Sequence, residues 1–308
     1  MTRKEVHSKI KGIFVPAVTP FNPRGEIDLN AFRHNLRRYA KNGVSGVIVL
    51  GSSGEATYLT EAEKLRLIEA ARDIVRPPQL LLAGTGLEST RLTIELSRQA
   101  IGLGVDALLV LTPAYYKSRM DAAALATHYQ AVADALRRPI LIYSIPQFTG
   151  INMEAATIAR LSKHENIAGL KESSGKMEFL QEILRRSHPK FCVLTGSPLI
   201  LLEALQAGAA GGVLGPANYV PELYVKIYDC FCRGEMEAGR KLQQQLEPAV
   251  REVSIRCGIA GVKYAADLCG YRAGAPRAPL LPLRQAEQRA IAAALRKAQV
   301  SSNHRGAA

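Results

Sequence analysis

Lys171 is the residue whose type and position best suit it to covalent chemistry. It follows the apolar run 167–170 and precedes Glu172 and the small residues Ser173-Ser174-Gly175, a pattern that predicts a lysine at the exit of a short buried strand. Burial disfavours the ammonium form of a lysine, and a neutral amine in a cleft can condense with a carbonyl carbon to form a Schiff base. Taken alone, the pattern favours a lysine that points to water, so the assignment depends on the rest of the chain.

Hydroxyl-bearing residues follow other apolar runs. Tyr143 ends the run 140–143, and its phenol could carry protons to and from a carbinolamine, although a core tyrosine with a satisfied hydroxyl is the alternative. Gly51-Ser52-Ser53-Gly54 offers backbone N–H groups and two hydroxyls that could hold a carboxylate, and an ordinary tight loop is the alternative there. Tyr115 and Tyr116 are exposed loop aromatics that could close a site or pack in an interface.

Eight short apolar runs recur along the chain, and helical periodicity lies between them. The runs are 13–18, 47–50, 80–83, 107–111, 140–143, 167–170, 191–194 and 212–214. Each is apolar throughout, as is typical of strands in a parallel sheet covered on both faces. Thr60 and Glu63 form a capping-box pattern at the start of one helical segment. The alternation predicts an α/β fold, a (β/α)8 barrel; a doubly wound sheet is the alternative, but no G-x-G-x-x-G motif follows the first run.

The domain organisation follows from this alternation. Residues 12–220 are predicted to form the barrel, and helical patterns continue at 221–232, 236–257, 260–268 and 285–298. Residues 221–300 are therefore predicted to form a C-terminal helical extension packed on the barrel, and residues 1–8 and 301–308 to be flexible termini. In a (β/α)8 barrel the active site lies at the carboxyl ends of the strands. Lys171, Tyr143, Ser52 and Gly196 all fall at predicted strand ends.

Composition excludes several classes of protein. The chain of 308 residues contains no uninterrupted apolar stretch long enough for a membrane span, and its charged start does not resemble a signal peptide. Five irregularly spaced cysteines are most simply free thiols in a cytoplasmic protein. The net charge of +13 is scattered along helical segments, so we expect solvated helix faces and no nucleic-acid partner. None of the six histidines falls at a predicted strand end, so no metal site is expected.

Four motifs together resemble the dihydrodipicolinate synthase/N-acetylneuraminate lyase superfamily, pyruvate-dependent class I aldolases built on a (β/α)8 barrel. The motifs are Gly51-Ser52-Ser53-Gly54-Glu55, Leu111-Thr112-Pro113-Ala114-Tyr115-Tyr116, Tyr143-Ser144-Ile145-Pro146 and Gly169-Leu170-Lys171-Glu172-Ser173-Ser174-Gly175. The resemblance, which runs from about Gly12 to Leu283, implies that Lys171 forms the Schiff base with a 2-oxo acid and that no exogenous cofactor is needed. It implies that Tyr143 transfers protons and that Ser52 relays them.

The resemblance also implies a substrate-binding set and an assembly. Ser53, with backbone near Val213, is expected to bind the pyruvate carboxylate, and Ser173 and Gly196 are expected to line the same site. Tyr115 matches the loop tyrosine that, in the synthases, reaches the active site of the neighbouring subunit. A homodimer, usually paired into a homotetramer, follows from this resemblance.

The segment after the fifth apolar run bears on the identity of the second substrate. The synthases usually carry an arginine two residues after the strand-5 proline, but here Pro146 is followed by Gln147 and Phe148, and a phenyl ring cannot bind a carboxylate. Segments such as Pro276-Arg277-Ala278-Pro279-Leu280 instead resemble 4-hydroxy-2-oxoglutarate aldolases, although those can carry an amide where this chain has Ser53. The predicted reaction is cleavage of 4-hydroxy-2-oxoglutarate to pyruvate and glyoxylate. The alternatives are condensation of pyruvate with aspartate semialdehyde, another sugar-acid lyase or dehydratase, and a non-catalytic basic binding protein.

Overall fold

The computed structural model describes residues 3–300, and at its centre eight parallel strands close into a barrel in sequence order. The strands are β1 Gly12–Pro16, β2 Gly46–Val49, β3 Leu80–Gly84, β4 Ala107–Leu111, β5 Ile140–Ser144, β6 Ile167–Glu172, β7 Cys192–Thr195 and β8 Gly211–Val213. β8 pairs with β1, which closes the barrel. The predicted (β/α)8 fold is confirmed, because a doubly wound sheet would have two open edges.

Thirteen α-helices accompany the strands within residues 3–300. They are α1 Arg3–Ser8, α2 Leu29–Ala40, α3 Glu61–Arg72, α4 Thr90–Gly102, α5 Ala122–Ala135, α6 Pro146–Thr149, α7 Ala155–Leu161, α8 Met177–Arg186, α9 Leu201–Gln206, α10 Pro221–Cys232, α11 Met236–Val250, α12 Gly258–Leu268 and α13 Gln285–Lys297. The capping box predicted at the start of α3 is present, since Glu63 N donates to Thr60 Oγ1 and Thr60 N donates to Glu63 Oε2.

Strand side chains alternate between two buried clusters. In β2, Ile48 belongs to the cluster inside the barrel, whereas Val47 and Val49 belong to the cluster between the barrel and its helices. The same alternation in β5 directs Tyr143 into the barrel. β6 differs slightly from the prediction, because it continues through Lys171 and Glu172, which pair with Tyr143 and Ser144 of β5. Lys171 therefore lies within a strand rather than just after one.

The N-terminal segment is part of the core. Residues 3–8 form α1, and its Val6 is fully buried in the cluster that fills the barrel. Ile10 joins the same cluster just before β1 begins. The prediction of flexibility is therefore wrong for residues 3–8, because they form a helix whose Val6 packs into the cluster inside the barrel. Residues 1–2 and the predicted flexible tail 301–308 lie outside the described residues.

The boundary of the C-terminal extension also moves. α10 follows β8 and packs against β1 and α9, so it completes the ring of helices around the barrel. The extension therefore begins with α11 rather than at residue 221. α11 continues as a π-helical turn over Arg251–Arg256, followed by α12 and α13.

Arg277 fastens the segment between α12 and α13 to the start of α3. Its guanidinium donates to both carboxylate oxygens of Glu63 (2.8 and 2.6 Å) and to the carbonyl oxygens of Gly25 and Tyr58. The hydrogen bonds from Arg277 are the main reason that the pKa of Glu63 falls from an ordinary 4.5 to about 2.

This pair predicts a loss of stability in acid. Because the folded-state pKa of Glu63 is depressed, its contribution to the free energy of unfolding is fully present above pH 4.5 and is lost as the pH falls towards 2. Glu63→Gln should remove this part of the pH dependence, as measured by urea unfolding across that range. Glu69→Gln, an exposed position on the same helix, should leave it in place. Equal pH dependence in the wild type and Glu63→Gln would contradict the prediction.

Candidate active site

Lys171 and Tyr143 lie side by side inside the carboxyl end of the barrel. They are directly paired residues of β6 and β5, so their side chains leave the sheet on the same face. Lys171 is only 5% exposed and Tyr143 only 3%, and Lys171 Nζ lies 3.9 Å from the centroid of the Tyr143 ring. The amine is therefore buried against an aromatic ring and does not point into bulk water.

Ser52, which follows β2, contacts the hydroxyl of Tyr143. It begins a one-turn 3-10 helix, Ser52–Gly54, that follows β2, and its Oγ lies 3.3 Å from the hydroxyl oxygen of Tyr143. Either group can donate this hydrogen bond. Lys171, Tyr143 and Ser52 therefore lie in a row: the amine is over the tyrosine ring, and the phenol is in hydrogen-bond contact with the serine hydroxyl. Such a row can move a proton to or from a reacting atom beside the amine.

Ser53 and Val213 are the two positions that the resemblance assigns to binding of the carboxylate. Ser53 is the second residue of the 3-10 turn and is half-buried, which leaves its hydroxyl room to meet a ligand. Val213 is the last residue of β8 and lies in the cluster inside the barrel.

Ser173 and Gly196 are in direct contact. A Cβ atom added to Gly196 would lie 1.9 Å from Ser173 Oγ, so only glycine fits there. The backbone holds both residues in place: Ser173 N donates to Ser144 O (3.0 Å) and Gly196 N donates to Glu172 O (2.6 Å). Ser173 Oγ is buried and has no hydrogen-bond partner among residues 3–300. A buried hydroxyl of this kind is suited to bind a substrate oxygen.

The sequence prediction missed two residues that hold the Ser173 loop. Gln147 Nε2 donates to the carbonyl oxygens of Ser173 (2.7 Å) and Ser174 (3.3 Å). Glu172 is buried and accepts from Ser174 N (2.7 Å), and its burial raises the pKa of its carboxyl group. In the sequence, Gln147 was noted only because it precedes Phe148, where the synthases usually carry an arginine. No local pattern indicated that its side chain reaches the loop after β6.

Tyr115 does not join the site within one chain. Its side chain is 77% exposed and packs edge-on against Tyr116, at 5.0 Å between ring centroids. The backbone N–H groups of Ala114 and Tyr115 donate to Glu88 Oε2, which fixes the loop but leaves the ring outside the barrel. The prediction that Tyr115 is catalytic therefore requires a second subunit.

Three further observations concern the cysteines, metal ligands and long apolar helices. All five cysteines are free thiols. Within residues 3–300, no group of three or more His, Cys, Asp or Glu side chains is arranged to hold a metal ion. Over the same residues, no helix combines the length and the apolar character needed to cross a membrane.

A closed (β/α)8 barrel with a buried lysine beside a tyrosine at its carboxyl end is the architecture of a class I aldolase. The chain belongs to the dihydrodipicolinate synthetase family, whose model matches residues 9–298. The predicted superfamily membership is thus confirmed. Enzymes of this family form a covalent Schiff base between a lysine and pyruvate and use no external cofactor, and the chain is an enzyme of this lyase class.

Two curated relatives have 34% identity to the chain but carry different names. The 4-hydroxy-tetrahydrodipicolinate synthase of Moorella thermoacetica aligns over 92% of this chain and 97% of its own. The L-threo-3-deoxy-hexylosonate aldolase of Hypocrea jecorina aligns over 93% and 95%. Among solved structures, the dihydrodipicolinate synthase of Thermotoga maritima superposes with a TM-score of 0.90 at 27% identity, covering 94% of this chain and 99% of that one.

Proposed function

We propose that the chain uses Lys171 as its Schiff-base residue in a reversible aldol reaction between pyruvate and an aldehyde. The observation that carries this proposal is the buried row in which Lys171 Nζ lies 3.9 Å from the centroid of the Tyr143 ring and the Tyr143 hydroxyl lies 3.3 Å from Ser52 Oγ. Ser53, Ser173, Gly196 and the backbone near Val213 are the proposed substrate-binding residues. The unpartnered Oγ of Ser173 supports this set.

In the proposed mechanism, the neutral Lys171 amine attacks C2 of a 4-hydroxy-2-oxo acid to form a carbinolamine. Tyr143, in hydrogen-bond contact with Ser52, protonates the departing hydroxyl, which leaves as water and gives a protonated imine. The imine accepts the electron pair of the C3–C4 bond as that bond breaks, and the C4 hydroxyl loses its proton as the aldehyde forms. The remaining enamine takes a proton at C3, and water hydrolyses the imine to release pyruvate and the free amine.

Our first candidate substrate is 4-hydroxy-2-oxoglutarate, which would give pyruvate and glyoxylate. Phe148 supports it over aspartate semialdehyde. The phenyl ring is 65% exposed on α6, at the position where the resemblance to the synthases implies a carboxylate-binding arginine. A benzyl side chain offers no hydrogen-bond donor to a carboxylate.

The second candidate is 4-hydroxy-tetrahydrodipicolinate synthase activity, in which pyruvate condenses with aspartate semialdehyde. The names of the curated relatives favour this candidate over the first, since the Moorella enzyme carries it at 34% identity. A panel of purified substrates separates the two: cleavage of 4-hydroxy-2-oxoglutarate supports the first candidate, and condensation with aspartate semialdehyde supports the second. Sugar-acid substrates belong in the same panel because the Hypocrea relative is named a deoxy-hexylosonate aldolase.

Phe148→Arg should raise the activity with aspartate semialdehyde. A guanidinium at this position can pair with the carboxylate of the aldehyde, and we expect the apparent KM for aspartate semialdehyde to fall about tenfold or more. Steady-state kinetics at fixed pyruvate measures the change. Ile255→Arg is the matched control, because it adds the same charge at an equally exposed apolar residue of the C-terminal extension, 62% against 65%. An equal fall in KM in both variants, or none in Phe148→Arg, would contradict the proposed role of position 148.

We also propose a homodimer or homotetramer in a cytoplasmic setting. The high exposure of Tyr115 and Tyr116 supports a subunit interface there, because large exposed aromatic surfaces are typical of contact sites. In such an assembly Tyr115 would enter the neighbouring subunit's active site.

A further inference from the structure

A fully buried ion pair joins the C-terminal extension to the loop that carries Ser52 and Ser53. Lys263 of α12 lies with its Nζ 2.8 Å from Glu55 Oε1, and both side chains are 0% exposed. Lys263 Nζ also donates to the carbonyl oxygen of Thr19 (2.8 Å). The aldol mechanism uses neither residue. A buried pair of charges is costly to desolvate. Because Glu55 directly follows the Ser52–Gly54 turn, the pair is placed to act on the conformation of that turn.

The backbone on both sides of this turn has an unusual conformation. Leu50 has a φ of 58° and Glu55 a φ of 55°, in the left-handed region that residues with a side chain disfavour. Within residues 3–300 only three non-glycine residues have positive φ, and these two bracket the catalytic hydroxyls. Gly84 of β3 permits the conformation at Leu50, because a Cβ at Gly84 would lie 2.1 Å from Leu50 O. Such backbone persists only where the surroundings hold it in place.

The surroundings of Glu55 come largely from the C-terminal extension. Its second carboxylate oxygen, Oε2, accepts from the backbone N–H of Arg277 (2.8 Å), and Oε1 is bound by Lys263. From the segment after β1, Thr19 Oγ1 donates to Gly54 O (2.7 Å). Two parts of the C-terminal extension, α12 and the segment around Arg277, therefore bind Glu55, the residue that follows the Ser52–Gly54 turn. The Arg277 side chain holds this segment in place, because its guanidinium donates to Glu63 of α3.

We propose that Lys263 and Glu55 are positioning residues for catalysis: through their ion pair, the C-terminal extension holds the Ser52–Ser53 turn in the conformation that brings Ser52 Oγ to Tyr143. This inference rests on the proposed roles of Ser52, Ser53 and Lys171. Without the pair, the turn should relax out of its disfavoured conformation. Ser52 would then lose its contact with Tyr143, and Ser53 would no longer face the substrate carboxylate.

The test is the exchange of the C3 hydrogens of pyruvate with D2O in wild type and Lys263→Met. Enamine formation removes a C3 proton and its reversal adds a deuteron, so NMR reports imine chemistry whatever the aldehyde is. Borohydride trapping with pyruvate measures the fraction of chains whose Lys171 forms the imine. The exchange rate is divided by this fraction to give a rate per trapped site. We expect Lys263→Met to exchange about 10²-fold more slowly per trapped site, since small misplacements of catalytic groups have effects of this size, and to show a higher KM for pyruvate.

A purely structural role gives a different result. It would lower the number of trapped sites but leave the KM and the rate per trapped site unchanged, and that outcome overturns the proposal. Arg72→Met is the matched control, because Arg72 and Asp106 form a largely buried ion pair (3.1 Å; side chains 18% and 12% exposed) beside the N-terminal end of β4. Its rate per trapped site should stay within about twofold of wild type. If Lys263→Met fails to fold, Glu55→Gln, which keeps the shape of the side chain, is subjected to the same measurement.

If the proposed function itself is wrong, the same experiment gives a different result. If wild type is not labelled by pyruvate on Lys171, the function assigned to Lys171 is wrong. If wild type is labelled and exchanges, but Lys263→Met exchanges equally fast per trapped site with an unchanged KM, only the positioning role is wrong.

Discussion

Lys171→Ala should abolish turnover and the covalent adduct together. Without the amine no imine can form, and we expect the rate to fall by on the order of 10⁴-fold or more, because the covalent route is lost altogether. The measurement is borohydride reduction in the presence of pyruvate, followed by intact mass and peptide mapping. Wild type should gain one pyruvate-derived adduct per chain on Lys171, and the variant none. Far-UV circular dichroism should show an unchanged fold.

Two lysines make this test specific. Lys176→Ala removes an exposed lysine in the segment that follows β6, five positions after Lys171, and should leave both the adduct and the turnover unchanged. Lys263 is the other buried lysine among residues 3–300, and its amine is held by Glu55 and Thr19 O, so it should not be labelled. An adduct on Lys263, or none on any lysine in wild type, would show that the Schiff-base assignment is wrong.

Tyr143→Phe should slow imine formation by about 10²- to 10⁴-fold, the usual contribution of a positioned acid or base. The substitution keeps the ring beside Lys171 Nζ and removes only the hydroxyl that lies 3.3 Å from Ser52 Oγ. Packing should therefore change little while proton transfer is lost. The rate of adduct formation in a rapid-quench experiment with borohydride measures this step directly.

Tyr129→Phe is the control for loss of a buried tyrosine hydroxyl. Tyr129 is fully buried, and its hydroxyl donates to the carbonyl oxygen of Val110 (3.1 Å) on the helix-facing side of β4. Its removal should lower the free energy of unfolding by about 1 kcal/mol and leave the rate of imine formation unchanged. If Tyr143→Phe also forms the imine at the wild-type rate, Tyr143 has no part in proton transfer.

Local patterns in the sequence were sufficient to predict the barrel. Eight short apolar runs separated by helical periodicity identify the strands, because each strand is buried on both faces and must be apolar throughout. The same patterns placed Lys171 and Tyr143 at the ends of consecutive runs. In the structure, the register of β5 and β6 pairs these two residues directly. Local patterns misjudged the boundaries of elements. Strand β6 extends over Lys171, and residues 3–8 form a helix whose Val6 is buried. Helix α10 belongs to the ring of helices around the barrel and not to the extension.

The sequence by itself determined the fold class and the family, since these depend on residues that are close together in the chain or on motifs read one at a time. Only the tertiary structure decided which groups meet. Ser52 and Tyr143 are separated by 91 residues, and Glu55 and Lys263 by 208. Gly196 is required because the Ser173 hydroxyl occupies the space of its side chain. Contacts of this kind arise from closure of the barrel and docking of the extension, and no local periodicity encodes them.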